Sequence, residues 1–353
     1  MKSTTAVFGV LAGGEQVRIW TISNGEMSFS ACEYGCIITS IMLPRKGGSF
    51  DDVTPGFSTL DGYVHRNTPY FGGLIGRVAN RIGRGRFSLD GVSYALDTNN
   101  GAHTLHSGFR GYHQMLWNGE GITTEEGIGV CFRRTSPDGE QGFPGVLQLE
   151  VSYILTSTHE IIMRYRAVAG APTPVNLTNH VYFNLGGHAS PTIADHVVTI
   201  HSTQYLEVDE DLIPTGRILP VKDSVFDFLQ PRRVGTYFGA KELTRMRGGY
   251  DTAYCFPETK TLSCAGLPVA AVLEDPHTGR SVTCATNQPC LQFYTGGSLE
   301  LNGGKDGASY HQYGAVCLET QRYIDAPNQP GFPSAIVTPD KNYEALTFYG
   351  FMW

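Results

Sequence analysis

An all-β protein, formed as one large antiparallel β-sandwich domain with very little helix, is what this sequence predicts, on three observations. Runs rich in β-branched and aromatic residues, such as LQLEVSYIL (147–155), recur along the whole chain. Turn clusters such as SNGE, LDGV and PDGE separate them at short intervals, in a chain holding 43 glycines and 19 prolines. Windows with helical periodicity are nearly absent. Short strands at this density pack as a sandwich or close as a barrel.

The expected strands run in order. VRIWTI (17–22), MSFSAC (27–32) and CIITSIML (36–43) open the chain. LQLEVSYIL (147–155) and IIMRYRAVA (161–169), joined by Thr-Ser-Thr-His-Glu, read as a hairpin. HVVTIHSTQYLEVD (196–209), LPVAAVLED (267–275), SVTCAT (281–286), LQFYTG (291–296) and AVCLETQRY (315–323) continue the rhythm. SVFDFLQPRRVG (224–235) and the segment near Glu242 are expected to form one or two helical turns at most. No linker, repeat or shift of composition divides the chain, so residues 1–353 are expected to be one domain.

Composition excludes several functions. A net charge of −7 without a basic block argues against a nucleic-acid or anionic-membrane partner. Arg77, Arg81, Arg84 and Arg86 cluster, but among glycines, as a local site rather than a stripe. Eight scattered cysteines with no Cys-x-x-Cys pair are expected as buried, reduced thiols in a cytoplasmic protein. No convincing cleavage site follows the apolar run Ala6–Ala12, and prolines and amides break the uncharged stretch 167–194, so neither secretion nor a membrane span is expected. Composition is silent on oligomeric state.

That uncharged stretch holds VNLTNHVYFNLGG (175–187), in which Asn176, Asn179, His180 and Asn184 sit among apolar residues. A buried polar group without a partner costs about 1–3 kcal/mol, so these side chains must bond to backbone or to a ligand. A histidine in such surroundings is usually a satisfied core residue, yet imidazole is also the side chain suited to proton transfer near neutrality. Glu319 in AVCLETQ shares a strand face with Cys317 and Gln321, opposite Val316 and Leu318. A strand-end carboxylate usually faces solvent; buried, its pKa would rise and it would serve as a base. His103, His106 and His113 are spaced by three and seven residues with no acidic ligand interleaved, so no metal is expected. Arg81, Asp251 and Gln292 supply the mixture of donors and acceptors that a sugar's hydroxyls need, and neighbouring Tyr and Phe rings suit a pyranose face. From the residues alone, each is equally an ordinary surface or strand-edge group.

Six motifs occur together and in order: PYFGGLIGRVANRI (69–82), HTLHSGFRGYHQMLW (103–117), NLTNHVYFNLGG (176–187), GGYD (248–251), QFYTGG (292–297) and CLETQ…DAPNQPGFP (317–333). This series closely resembles the aldose 1-epimerase (galactose mutarotase) family over nearly the whole chain. The resemblance implies a mutarotase-like super-sandwich with an open sugar cleft, no cofactor and no metal, and interconversion of the α and β anomers of free aldohexoses such as galactose and glucose. By motif, Glu319 matches the family's base and His180 its acid, and His106 matches a second histidine that binds and polarises the sugar. Arg81, Asp251 and Gln292 match sugar-contacting residues, as does Asn80. Two departures stand out. Ser107 replaces a common Gly, and Gly296-Gly297-Ser298 replaces a more usual Gly-Asn; both are expected at the cleft, where they would affect which aldose is preferred. Three alternatives remain open at this point: a sugar-phosphate epimerase using Arg77, Arg84 or Arg110, a glycoside hydrolase pairing Asp251 with Glu319, and a non-catalytic sugar-binding protein.

Overall fold

The computed structural model describes residues 1–45, 47–256, 263–264 and 266–353. Three antiparallel sheets dominate it. A five-stranded meander runs through Lys2–Val10, Gln16–Ser23, Ser28–Cys32, Ile38–Pro44 and Phe50–Asp52. A ten-stranded sheet is built around Gly127–Ser136, Leu147–Thr156, Glu160–Ala169 and Tyr343–Met352, and then passes through Ser281–Thr286 and Leu267–Glu274. The third sheet orders Tyr182–Phe183, Val316–Gln321, Cys290–Tyr294, Asp251–Cys255, Gln204–Val208 and Pro214–Pro220.

Strand alternation explains how these sheets pack. Val151, Tyr153 and Tyr165 from the large sheet meet Leu291, Phe293, Val316 and Leu318 from the six-stranded sheet in one apolar cluster. Ile22, Phe29 and Ile41 of the meander join the same cluster, and Trp20 meets Phe132 edge-on at 5.8 Å. Each fully buried Leu, Val or Phe contributes about 1.5–3 kcal/mol relative to exposure, which makes the inter-sheet layer the main stabiliser. The opposite face of the six-stranded sheet is left to carry Glu319, Gln292 and Asp251.

The expected strands are present, with local differences. The run 196–209 is two strands, Val197–Ile200 and Gln204–Val208, which join different sheets. Cys36 is not in a strand: its φ of 48° places it in a turn before Ile38–Pro44. The window 224–235 is mostly irregular: it passes through the short strand Arg232–Arg233, and only its last two residues enter a helical turn, Val234–Tyr237. Lys241–Met246 is the brief helical turn expected near Glu242. The α-helix Leu60–Arg66 was not expected; Thr59 caps it by accepting the Gly62 N–H at 3.4 Å, and seven residues are too few to show a periodicity. No described helix is long and apolar enough to cross a membrane.

Candidate active site

Val316–Gln321 is the strand on which the site is built. Both of its faces are buried: Val316 and Leu318 enter the inter-sheet core, while Cys317 and Glu319 face away from it. Glu319 pairs in register with Gln292, and Ala253 pairs with Gln292 from the other side. The pleat thus brings Glu319, Gln292 and, two residues from Ala253, Asp251 to one face of three adjacent strands.

His180 arrives from the uncharged segment, whose amides hold backbone. Asn176 Oδ1 accepts the Arg322 N–H at 2.7 Å; Asn179 Nδ2 donates to the Gly72 carbonyl at 2.9 Å; Asn184 Nδ2 donates to the Gly314 and Ser190 carbonyls at 2.8 and 3.0 Å. The His180 N–H donates to Gly73 O at 2.8 Å, and its carbonyl accepts the Gly72 N–H at 3.0 Å. So fixed, the His180 Nε2 lies 3.6 Å from Glu319 Oε1.

These groups floor a cleft of about 380 Å³, a size suited to a monosaccharide. His106, Asn80, Arg81, Asp251 and Gln292 line it with His180 and Glu319, so all seven residues singled out in the sequence share one cavity. A larger cavity of about 550 Å³ lies on the outer face of the ten-stranded sheet and contains none of them. Its main charges are already matched, Arg133 to Glu150 and Glu120 at 2.8 Å each.

The polar groups of the cleft are oriented before any ligand enters. The Asn80 N–H donates to His106 Nδ1 at 3.1 Å, so the proton of the neutral His106 ring is on Nε2. Burial, reinforced by His180, His113 and Arg81, holds His106 well below the usual imidazole pKa. Gln292 Nε2 donates to Asp251 Oδ1 at 2.5 Å, leaving Gln292 Oε1 without a protein partner. Arg81 stands 3.8 Å from Asp251 and donates to Asn80 Oδ1 and Asn100 Oδ1 at 3.4 and 3.3 Å. Asn80 and His106 have φ of 62° and 52°, and Tyr70 beside them 64°, a left-handed cluster of non-glycine residues of the kind stored at functional sites.

The electrostatics of the central pair differ from those of an ordinary ion pair. Burial, with a further contribution from Asp251, pushes Glu319 well above the usual carboxylate range. Burial pushes His180 down to about 3. Glu319 makes no hydrogen bond to another described residue, so its oxygens are available to a ligand.

Metal ligation finds little support in these directions. His180, Cys317 and Glu319 donor atoms lie within 4.8 Å of one another. Yet Cys317 Sγ faces Nδ1 at 3.5 Å and Glu319 faces Nε2, so one ion cannot take both partners through one ring nitrogen. Neither His103 nor His106 is poised to ligate through Nδ1: that atom accepts the Arg84 N–H in His103, at 3.0 Å, and the Asn80 N–H in His106.

One departure is relocated by the structure. Ser107 does not line the cleft; its buried Oγ accepts the Val78 N–H at 2.8 Å and donates to Val78 O at 3.1 Å. Ser298 does line it. Arg77, a candidate phosphate ligand, is wholly buried and donates to the Pro144 and Gly145 carbonyls at 2.8 Å each, and neither Arg84 nor Arg110 lines the cleft. Sequence reasoning missed Asn100, which reads as a turn residue in DTNNG, and it did not single out Tyr70, Tyr182 or Tyr294. Tyr70 and Tyr182 stack on His180 with centroids 5.7 and 5.1 Å away.

The sequence model of the family described as aldose 1-epimerase matches residues 18–350. The chain is 42% identical over 351 residues to galactose mutarotase of Mus musculus, covering 99% of this chain and 98% of the relative. It is 32% identical over 342 residues to aldose 1-epimerase of Escherichia coli, covering 96% of each. Among solved structures, an aldose epimerase homologue from C. elegans superposes with a TM-score of 0.85 at 28% identity, covering 94% of this chain and 98% of that one. Galactose 1-epimerase from Lactobacillus acidophilus superposes equally well, TM-score 0.85, at 21% identity over 99% of this chain and 98% of that one, a likeness of fold.

Proposed function

Because the chain belongs to the aldose 1-epimerase family, whose members are isomerases, we propose that it interconverts the α and β anomers of free aldohexoses, galactose and glucose among them, with Glu319 as base and His180 as acid. The observation that carries this reading is the 3.6 Å separation of His180 Nε2 and Glu319 Oε1 on the cleft floor. In a cyclic aldose the hydroxyl to be deprotonated and the ring oxygen to be protonated are both bonded to C1. An acid and a base acting on them must therefore stand side by side.

Glu319 takes the proton of the C1 hydroxyl. The C1–O5 bond breaks, its electron pair goes to O5, and O5 takes the proton of His180. The free aldehyde turns about C1–C2, then O5 attacks the other carbonyl face, returning its proton to His180 while the new C1 hydroxyl takes one from Glu319. No atom is gained or lost. The His106 Nε2–H, Arg81 and Gln292 hold the sugar oxygens, Asp251 and Asn80 orient Arg81 and Gln292, and Tyr70, Tyr182 and Tyr294 cover apolar ring surface.

Burial alone favours the neutral pair, with the carboxyl proton on Glu319 and one N–H on the imidazole. The reactive form has the same number of protons, moved to His180. Sugar hydroxyls that donate to the carboxylate and accept from the imidazolium offset the cost of that charge separation. The pair then titrates as a unit in two macroscopic steps, giving a bell-shaped rate profile.

Other lines of the reading have narrower support. Residues 1–353 are taken as one domain because a single apolar cluster joins all three large sheets. All eight cysteines are free thiols, seven of them buried, in keeping with a reducing cytoplasm. The glycosidase alternative loses ground because Asp251 is occupied by Gln292 and Arg81.

Polarimetry of freshly dissolved α-D-galactose and α-D-glucose in dilute, mildly acidic buffer tests the proposal. Acceleration that Glu319→Gln abolishes is expected. A folded protein that binds galactose without accelerating mutarotation would establish a binding protein instead.

A further inference from the structure

His180 has to carry positive charge while a proton passes through it, yet burial holds its pKa down to about 3. The edge of the ring is provided for. In an imidazolium both nitrogens donate: Nε2–H points toward Glu319 Oε1 at 3.6 Å, and Nδ1–H is served by the His180 carbonyl, with Cys317 Sγ as an acceptor at 3.5 Å. The flat surface of the ring remains, and it meets tyrosine. Tyr182 stacks on His180 with centroids 5.1 Å apart and planes at 29°, and Tyr70 does so at 5.7 Å and 30°. Aliphatic side chains would fill the same space without favouring charge. An aromatic face carries the negative part of the ring quadrupole, and it attracts a cation within about 6 Å of its centroid, more strongly where water is excluded.

We propose that Tyr70 and Tyr182 are positioning residues whose ring faces stabilise His180 as an imidazolium. This rests on the reading of His180 as the acid. Because the resting pair is neutral, whatever favours positive charge on the ring in the transition state lowers the barrier. Both tyrosines are fixed in place. Tyr182 is buried and its hydroxyl donates to the Pro69 carbonyl at 3.0 Å, which anchors the residue before Tyr70. Tyr70 has a φ of 64°, costly for a residue with a side chain, and its ring meets His106 and His113 edge-on at 4.7 and 4.8 Å. The other titratable groups around the ring do not supply the stabilisation. Burial holds His106 and His113 neutral, and it raises Cys317 and Tyr294 so that both keep their protons. Glu319 is negative only after it has given up its proton, and Asp251 is engaged by Gln292 and Arg81.

The test replaces Tyr70 in the full-length protein by phenylalanine, difluorophenylalanine and trifluorophenylalanine, which keep the ring's shape while progressively weakening its negative face. Relative to Tyr70→Phe, kcat for galactose measured by polarimetry should fall stepwise, to about three-fold lower in the trifluoro form, with KM changing less. In ¹⁵N NMR of histidine-labelled protein, with His180→Asn to assign the ring, the same series should hold about three-fold less His180 imidazolium at pH 4. Tyr182→Leu should lower both readings, and Tyr182→Phe, which keeps a face, should recover most of the loss. A flat kcat across the Tyr70 series overturns the proposal. So does a falling kcat with an unchanged His180 titration, or a Tyr182→Phe variant no better than leucine. If the wild type itself does not accelerate mutarotation, the functional reading fails, while the NMR series still decides whether the rings favour the charge.

Discussion

Two buried ionisable clusters in this molecule can be set side by side. Lys305 lies under the meander, where its ammonium donates to Asp52 Oδ2 at 2.6 Å and to the Thr39 and Thr54 carbonyls at 2.7 Å each. The other Asp52 oxygen accepts from Thr54 Oγ1, Thr54 N–H and Ile41 N–H at 2.8, 3.0 and 3.2 Å. Every donor of the cation is used. Glu319, equally buried, has no hydrogen bond to another described residue and faces a histidine across 3.6 Å. The difference teaches what burial by itself does not: a completed charge network holds a fold together, whereas an incomplete one opening on a cleft is poised for a ligand.

Breaking the completed cluster should have the largest effect. Lys305→Met leaves the Asp52 carboxylate buried without its cation, and about 3–5 kcal/mol of stability should be lost in denaturant titrations. Turnover per folded molecule should stay within about two-fold of wild type, because Lys305 does not line the cleft. A variant that stayed fully stable, or one that folded but lost its activity, would dissolve the distinction.

Breaking the incomplete cluster should do the reverse. Glu319→Gln and His180→Asn should each lower turnover by at least about two orders of magnitude, or about 2.7 kcal/mol on the barrier, while the protein remains folded. Near wild-type polarimetric rates in either variant would remove that residue from the proton-transfer pair.

The pH dependence of stability sharpens the same contrast. Above the ordinary carboxyl pKa of 4.5, unfolded Glu319 has lost its proton while the folded residue, with its raised pKa, keeps it. The stability held by the protonated form is therefore lost as pH rises through that window. Glu319→Gln has no such loss, so its stability relative to wild type should increase from pH 5 toward neutrality. His180 acts on the other side: folded at about 3 against an ordinary 6.5, it costs stability as pH falls from 6.5 toward 3. His113 and His196, both held down to about 4 by burial, add to that acid loss. A Glu319→Gln stability difference that stayed flat between pH 5 and 8 would show that the carboxyl is not desolvated.

These contrasts also mark what was legible in the sequence. The strands that face the inter-sheet core were readable because residues such as Val151, Phe293 and Leu318 alternate with the pleat. Lys2–Val10 was not, since nearly all of it is exposed and its alternation has no core to report. The cleft residues were nominated by ordered motifs, and strand alternation correctly put Glu319 and Cys317 on one face. It could not show that this second face is buried too, because that depends on His180, Tyr70 and Arg81 arriving from segments distant in the chain.

The smallest expected effect separates two serines that the sequence treated alike. Ser107→Gly removes two hydrogen bonds to Val78, each worth about 1 kcal/mol net, and also relieves a φ of 70° that costs a side-chain-bearing residue roughly 1–2 kcal/mol. The two changes nearly cancel, so stability should move by no more than about 1 kcal/mol, and KM for galactose and glucose should not move, since the hydroxyl never reaches the cleft. Ser298→Gly removes a hydroxyl that lines the cleft and should alter the ratio of the two KM values by a few-fold, about the effect of one exposed hydrogen bond. Measured together by polarimetry, a changed ratio in the Ser107 variant and none in the Ser298 variant would reverse the assignment. Nearness along the chain to a cleft motif does not make a side chain part of the cleft: Ser107 follows His106 directly, yet its hydroxyl is spent on holding the backbone.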